Sequence, residues 1–274
     1  MRARLVAVTV TQPFGALMRE WRRRRRLSQL DLAVEADVSP RHVSFIETGR
    51  STPSRPMVLR LAAALDVPPR EQNRLLMAAG YAPVFAERSL DDPDMAAVRN
   101  GVEQVLAAYD PYPCLALDRG WQILAANAGA TVLLDGVAHH LLERPNALRI
   151  ALHPDGLAPR IRNLAQWRHQ VVGRLRREAA LSGSAQAATL LAEIESYPGG
   201  FDETHDLGAV AVPLELVAAD GQLLRFLSTV TTFGTAVDLT AVELNIEAFL
   251  PVDDATAAAL HRAGTPEQVS VRLR

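Results

Sequence analysis

Two adjacent histidines and a single cysteine are the residues of this 274-residue sequence most suggestive of metal or nucleophilic chemistry. His139 and His140 precede Glu143, but the order and spacing differ from the HExxH zinc motif, and neighbouring helical residues point apart. Cys114 begins a predicted strand with no histidine beside it, which is typical of a small core residue. Sequence motifs for nucleotide binding or hydrolysis are absent. We therefore predict no catalytic site, no metal site and no cofactor.

Charge gives a second indication of chemistry, because basic and acidic residues are unevenly distributed. Residues 1–80 contain 14 arginines and 7 acidic residues, whereas residues 81–274 contain 15 basic and 24 acidic residues. The two parts therefore carry about +7 and about −9, although the net charge of the chain is −2. A basic part joined to an acidic part predicts two domains, of which the first binds a polyanion such as DNA.

Apolar spacing and capping residues predict an all-helical domain at the N-terminal end. Ser28 and Ser39 stand at N-cap positions, and Pro40 follows at the first position of a helix, where a missing N–H is harmless. Helices are predicted over 14–25, over 28–36, from Pro40 to Gly49, and twice more between 56 and 80.

The third of these helices has one buried and one exposed side in the prediction. Val43 and Ile46 point into the core, which leaves exposed Arg41, His42, Ser44 and Phe45. Two short helices joined by a tight turn are typical of the helix-turn-helix motif, whose second helix enters the major groove of DNA.

The segment LSQLDLAVEADVSPRHVSFIETGRSTPS closely resembles the Cro and lambda-repressor-like family, also called the xenobiotic-response-element family. The resemblance covers about residues 14–80 and implies a lambda-repressor-like fold that binds double-stranded operator DNA. A homodimer on a two-fold operator is expected, because one such unit has a small footprint.

The resemblance also implies roles for individual residues. Gln29 corresponds to a phosphate-binding glutamine, His42 faces the DNA backbone, and Arg41 is the strongest candidate to read a base, through guanine O6 and N7. The implied DNA-binding residues are Gln29, Ser39, Pro40, Arg41, His42, Ser44, Phe45 and Arg50.

Arginines at the end of the first helix have structural as well as functional interpretations. Arg22 and Glu47 match the family's structural ion pair. Arg26 stands where the family usually has glycine, so we expect either a positive-φ turn or a longer helix. The run Arg22–Arg26 is either a solvated helix face or a surface that attracts phosphates.

The acidic remainder predicts an antiparallel sheet with a helical insert and helices on one face. A polar stretch over 88–94 indicates a linker, and a connecting helix follows as far as Asp110. Strands are predicted from Cys114, from Trp121, and over 209–219, 222–232 and 241–250. Helices are predicted around 127–134, 139–144, 160–181 and 184–196. The expected domains are 1–84, a linker and connecting helix at 85–110, and 111–274.

Three blocks in this region resemble the MmyB-like regulator ligand-binding domain over about residues 105–262. They are PCLALDRGWQILAANAGA, NALRIALHPDGLAPRI with the following Trp167, and FGTAVDLTAVELNIEAFLPVDDATAAAL. The resemblance implies an α+β, PAS-like fold and an apolar, fatty-acid-like ligand.

A sheet cupped by helices can enclose a mostly apolar pocket with a few polar anchors. The candidate lining residues are Trp121, Ile123, Leu133, Trp167, Phe226 and Phe233, each of which is also compatible with an ordinary core. The candidate anchors for a carboxylate are Asn127, Arg149, His153 and Arg162, each of which is also compatible with a surface or capping role.

The sequence therefore predicts a two-domain transcription regulator whose C-terminal domain senses a small apolar ligand. A regulator whose C-terminal domain is a ligand-free platform for dimerisation or for a partner protein is the main alternative, and an enzyme tethered to DNA is a third. With one cysteine, and with no recognisable secretion signal or membrane span, a cytoplasmic location is expected.

Overall fold

The computed structural model describes residues 12–200, 211–233 and 238–263. The chain divides into two compact units, with the boundary between Glu87 and Arg88. The predicted fold class, an all-helical unit followed by an α+β unit with an antiparallel sheet, is confirmed. Within the described residues, no helix is both long enough and apolar enough to cross a membrane.

The N-terminal unit contains five helices around one apolar core. Its centre includes Met18, Leu32, Ile46 and Leu61, each at most 1% exposed. The helices are α1 Phe14–Arg24, α2 Gln29–Glu35, α3 Pro40–Glu47, α4 Arg55–Ala64 and α5 Pro69–Ala78. All five lie where the sequence predicts them, because each begins at a local capping or proline signal.

The C-terminal unit is built on a five-stranded antiparallel sheet with the order β2-β1-β5-β4-β3. The strands are β1 Cys114–Leu117, β2 Ile123–Ala126, β3 Leu214–Val217, β4 Leu223–Thr232 and β5 Asn245–Pro251. The helices are α6 Ala96–Tyr109, α7 Thr131–Leu134, α8 His139–Leu142, α9 Ala147–Leu152, α10 Leu164–Ser182, α11 Ala185–Ser196, α12 Leu239–Val242 and α13 Asp254–Ala263.

The two faces of the sheet have different partners. Cys114 and Ala248 lie on the face that packs against Val102 and Leu106 of α6. Cys114 is fully buried there, which confirms its prediction as a core residue. The opposite face packs against the helical insert between β2 and β3 in a larger core. Because α6 covers the sheet, the compact unit begins at Arg88 and includes the predicted connecting helix.

Three predicted strands are shorter than expected. The strand predicted over 241–250 begins only at Asn245, because Asp238 caps α12 by accepting a hydrogen bond from the Thr240 amide at 3.0 Å. The strand predicted from Trp121 begins at Ile123, because Trp121 lies in a turn with φ of 64°. The strand predicted over 209–219 is observed at Leu214–Val217, and residues 209 and 210 lie outside the described residues.

The helical insert is also more divided than predicted. The helix predicted around 127–134 consists of a 3-10 turn at Ala128–Ala130 and the short helix α7. The long helix predicted over 160–181 begins at Leu164, because residues Ala158–Arg160 form a separate 3-10 turn.

Candidate nucleic-acid interface and ligand cavity

Side-chain caps fix both helices of the helix-turn-helix. The Ser28 hydroxyl accepts a hydrogen bond from the Asp31 amide at 3.1 Å, and the Asp31 carboxylate accepts one from the Ser28 amide at 2.7 Å. At α3, the Ser39 hydroxyl accepts from the His42 amide at 3.2 Å. These caps satisfy backbone donors that the helix itself leaves unpaired, so α2 and α3 start at defined residues.

The start of α3 presents polar and aromatic side chains to solvent. Val43 and Ile46 are at most 1% exposed, whereas Arg41 is exposed and Ser44 and Phe45 are half-buried. The Arg41 guanidinium lies 5.0 Å from the centre of the Phe45 ring. The other residues predicted to contact DNA are exposed or half-buried in the same unit: Gln29, Ser39, Pro40, His42 and Arg50.

The Glu47 carboxylate at the end of α3 accepts hydrogen bonds from side chains of α1 and α2. Arg22 Nε lies 2.6 Å from its carboxylate, Arg19 Nε lies 3.3 Å away, and the Gln29 amide donates at 2.8 Å. Burial opposes ionisation of Glu47, but the hydrogen bonds, led by that of Arg22, outweigh it and lower the pKa of Glu47. One N–H of the Gln29 amide is therefore used within the scaffold.

The arginine run Arg22–Arg26 lies at the end of α1 and in the following turn. Several of its side chains contact other residues of the N-terminal unit, unlike the side chains of a fully solvated helix face. Arg26 adopts a φ of 57°, which is the positive-φ turn, one of the two alternatives predicted for it. Arg25 Nε donates to the Leu65 carbonyl at 2.8 Å, and the guanidinium groups of Arg24 and Arg25 lie over the Trp21 ring. Arg23 and Arg26 are exposed.

A cavity of about 280 Å³ lies between the sheet and the helical insert of the C-terminal unit. This volume is near the lower limit of small-molecule sites, about 300–1,000 Å³. Most of its wall is apolar and comes from the first strands, from α9 and from β5. The apolar residues include Leu115, Trp121, Ile123, Leu133, Leu148, Ile150, Trp167 and Phe249.

Charged side chains gather on one helix beside this apolar wall. Arg174 and Arg177 line the cavity from α10, together with Glu247 from β5. Arg174 Nη1 lies 3.2 Å from a Glu247 carboxylate oxygen, and the Ser228 hydroxyl also donates to Glu247. The Arg177 side chain is exposed to solvent, and it has no hydrogen bond or ion pair to any described residue. Glu247 therefore offsets the charge of Arg174 and leaves that of Arg177 unmatched.

Trp121 occupies an unusual backbone conformation at the cavity wall. A φ of 64° is rare for a bulky residue, and such strain is concentrated at functional sites. Its indole Nε1 donates to the Glu178 carboxylate at 3.1 Å, and the Arg174 guanidinium lies 4.3 Å from its ring centre. Burial raises the pKa of Glu178, although the bond from Trp121 opposes this shift. Trp121 thus connects the turn to α10.

The region that forms the cavity matches the MmyB-like transcription regulator ligand-binding domain over residues 98–263. The chain belongs to this family of MmyB-like regulators. Residues 13–75 match a helix-turn-helix domain, in agreement with the capped α2 and α3.

Two individual proteins resemble a part of this MmyB-like regulator. An uncharacterized HTH-type transcriptional regulator, RghRB of Bacillus subtilis (strain 168), is 42% identical over 76 residues, which are 27% of this chain and 52% of that relative. The chain thus spans about half the length of this curated relative. The restriction-modification controller protein C.AhdI from Aeromonas hydrophila is 39% identical, with a TM-score of 0.21, over 22% of this chain and 89% of its own.

Four of the six predicted lining residues of the MmyB-like domain line the cavity: Trp121, Ile123, Leu133 and Trp167. The predictions for the other two are wrong. Phe226 is fully buried behind the wall and packs edge-on against Phe249, with ring centres 6.4 Å apart. Phe233 packs on the α6 face of the sheet instead.

The four predicted polar anchors lie elsewhere, so those predictions are wrong for this cavity. Asn127 caps a turn and uses both its amide and its carbonyl group on nearby backbone atoms. Arg149 forms two hydrogen bonds of 2.7 Å with Glu193. Arg162 is on the surface, 3.7 Å from Glu215. His153 lies near other titratable groups outside the cavity.

The polar residues that line the cavity were missed by the sequence analysis. A signal for them exists in α10, where Trp167, Gln170, Arg174 and Arg177 follow one another at intervals of three, four and three residues. This spacing places all four on one side of a helix. A predicted cavity residue, Trp167, therefore identifies the arginines that share its helix face.

Proposed function

We propose that this protein is a transcription regulator that binds operator DNA through α3. The observation that carries the proposal is the exposed start of α3, where Arg41 faces solvent while Val43 and Ile46 anchor the helix in the core. The major groove admits an α-helix, and an arginine near its N-terminal end pairs with guanine O6 and N7.

Phe45 supports Arg41 in this proposal. Its ring lies under the guanidinium and favours the extended side chain that base reading requires. The ring edge also suits the methyl group of thymine. Pro40 and Ser44 are assigned to base edges beside Arg41, Gln29 and His42 to the DNA backbone, and Ser39 and Arg50 complete the DNA-binding residues.

The protein acts as a homodimer in this proposal. An eight-residue α3 reads only a few base pairs, and two copies on a two-fold site double the contact surface. Native mass spectrometry of the full chain tests this part, since it reports the assembly state directly. A monomer at the concentrations used for DNA binding would contradict it.

Binding to a duplex selected from a random pool tests the base-reading role. At fixed salt, Arg41→Ala should lower affinity for the selected duplex by about 5–150-fold and relax the preference at one base pair. Arg60→Ala is the matched control, because it removes the same charge from the exposed side of α4. Wild-type affinity and selectivity in Arg41→Ala would contradict the proposal.

The C-terminal cavity is proposed to bind an amphipathic ligand with an apolar chain and an anionic head, such as a fatty acid. Its apolar wall suits the chain, and the unmatched charge of Arg177 suits a carboxylate. A closed cavity of about 150 Å³ holds a benzene ring, so a cavity of about 280 Å³ suits a chain of about twelve carbons.

Ligand binding controls DNA binding in this proposal by favouring one arrangement of the two DNA-binding units. A ligand shifts such an equilibrium only by the difference in its affinity for the two arrangements. Saturating fatty acid should therefore change the affinity of the full chain for the selected duplex.

A series of straight-chain fatty acids of increasing length tests the ligand class by isothermal titration calorimetry. Affinity should peak near about twelve carbons and fall by about 10–100-fold in Arg177→Ala, the loss expected for one charge-assisted hydrogen bond. Arg176→Ala is the matched control. Arg176 directly precedes Arg177 in α10, but it pairs with Glu195 on the surface. Equal binding by the two variants would contradict the role of Arg177.

The same titration distinguishes a sensor from a ligand-free platform. Ala151 lines the cavity from α9, and Ala151→Leu should fill part of it, weaken fatty-acid binding and raise the melting temperature of the ligand-free chain. A chain that binds no member of the series supports the platform instead.

A further inference from the structure

Three metal-ligating side chains lie together on the surface of the C-terminal unit, outside the cavity. They are His140 on α8, His153 at the end of α9, and Asp155 in the turn that follows. One ring nitrogen of each histidine and one carboxylate oxygen lie within 4.8 Å of one another. The sequence analysis grouped His140 with His139 and Glu143, and so did not join it to His153 and Asp155, which the fold brings beside it.

Backbone hydrogen bonds fix the positions of these three residues. The Ala138 amide donates to the Asp155 carbonyl at 3.0 Å and thereby joins the start of α8 to the turn. The Gly156 amide donates to the His153 carbonyl at 2.9 Å. A Cβ at Gly156 would lie 2.2 Å from the Ile150 carbonyl oxygen, so this close turn requires glycine. The backbone is thus arranged in advance, and only side chains have to move.

The distances within the cluster are close to those of a coordinated ion. The Asp155 Oδ2 atom lies 4.0 Å from His140 Nε2 and 3.9 Å from His153 Nδ1. Bonds of about 2.0–2.2 Å around a tetrahedral ion place its ligand atoms about 3.4 Å apart. The His140 and Asp155 side chains are 57% and 60% exposed, which leaves room for the small rotations needed.

We propose that His140, His153 and Asp155 bind a divalent first-row transition-metal ion such as zinc, with a fourth coordination position open to solvent. Two imidazoles and one carboxylate are ligands that zinc accepts, and the carboxylate supplies negative charge. The His153 Nδ1 lone pair accepts a hydrogen bond from the Asp155 amide at 3.0 Å, so this nitrogen is unprotonated and lies beside Asp155. A small rotation of the imidazole ring turns the lone pair from the amide to the ion, while the backbone stays in place.

Neighbouring side chains hold the His153 ring in position. The Tyr197 ring packs edge-on against it, with centres 5.0 Å apart, and the Tyr197 hydroxyl donates to Glu193 at 2.6 Å. Glu193 in turn is fixed by its two hydrogen bonds with Arg149. Support of this kind behind a ligand is typical of metal sites.

Competition between the full chain and a chromogenic chelator for zinc tests the proposal. We expect one zinc ion per chain, and at least about a tenfold loss of affinity in His140→Ala and in Asp155→Asn. His139→Ala is the matched control, because it removes an exposed histidine from the same helix but outside the cluster. It should bind zinc as the wild type does.

Cobalt provides a second readout, since a tetrahedral cobalt site with protein ligands absorbs visible light strongly. His140→Ala and Asp155→Asn should lose this absorption, while circular dichroism shows that both variants keep their fold. Absence of zinc binding would overturn the proposal. So would equal affinity in all three variants, or an equal loss in His139→Ala, since these results place the ion elsewhere or indicate unspecific binding by surface histidines.

Discussion

The two units of the chain differ in how completely the charges at their candidate sites are paired. In the N-terminal unit, Glu47 is surrounded by three donors, Arg19, Arg22 and Gln29, and none of its charge is left unmatched. In the C-terminal cavity, Glu247 offsets Arg174, but Arg177 has no partner within the described residues. The paired charge of Glu47 stabilises the scaffold, whereas the exposed Arg177 at the cavity wall is free to pair with the proposed ligand.

The largest effect is expected where that scaffold charge is removed. Glu47→Gln leaves Arg22 and Arg19 without their counter-charge, and loss of one partner of a buried pair costs about 3–5 kcal/mol. Calorimetric unfolding of the full chain should show this loss in the N-terminal unit. Glu87→Gln breaks an exposed pair with Arg70 and should cost at most about 1 kcal/mol. Similar losses in both variants would remove the distinction between the two kinds of pair.

The contribution of the Glu47 carboxylate to the unfolding free energy should also depend on pH. Its folded-state pKa lies below the ordinary value of 4.5, so its contribution to stability is fully present above that value and decreases as the pH falls through the lowered pKa. The difference in unfolding free energy between the wild type and Glu47→Gln should therefore shrink below pH 4.5. A difference that grows with acidity would contradict this sign.

A smaller effect is expected at the cavity wall, where two tryptophans differ in one hydrogen bond. Trp121→Phe removes the donor to the half-buried Glu178, whereas Trp167→Phe removes a buried indole N–H that has no partner among the described residues. The volume lost is the same, so Trp121→Phe should be less stable than Trp167→Phe by about 1–3 kcal/mol. Thermal unfolding of the two variants at neutral pH measures this difference, and equal melting temperatures would exclude a structural role for the bond.

The smallest effect concerns the turn after α1, and it has the opposite sign. Arg26 adopts a φ of 57°, which glycine adopts without strain, so Arg26→Gly should stabilise the N-terminal unit by about 0.5–1 kcal/mol. Arg23→Gly lies inside α1 and should destabilise the unit by about 1 kcal/mol. Urea unfolding of the two variants tests this contrast. The unfolding midpoint should rise in Arg26→Gly and fall in Arg23→Gly, relative to the wild type.

The sequence was most informative where structure depends on nearby residues. Helices α2 and α3 begin directly after their capping residues Ser28 and Ser39, and Pro40 is the first residue of α3; these residues act on the backbone within one helical turn. The exposed side of α3 follows from the spacing of its apolar residues. These features could be predicted because each depends on fewer than about ten consecutive residues.

The cavity could be predicted only in part, because it combines residues that are far apart in the chain. Alternation in a strand separates two faces but does not show which face carries the cavity, so Phe233 was assigned to the wrong one. Asn127 and Arg149 had the right chemistry for anchors, but their partners were not visible in the sequence. The turn that brings Asp155 to His140 likewise depends on packing.

The position of Cys114 has a kinetic consequence. It is the only sulfhydryl of the sequence, it lies fully buried in β1, and burial raises its pKa to about 12. A thiol reagent can therefore modify the folded chain only when the sheet opens at β1. The rate of Cys114 modification therefore reports how often the sheet opens at β1. Any ligand that stabilises the closed C-terminal unit lowers this rate.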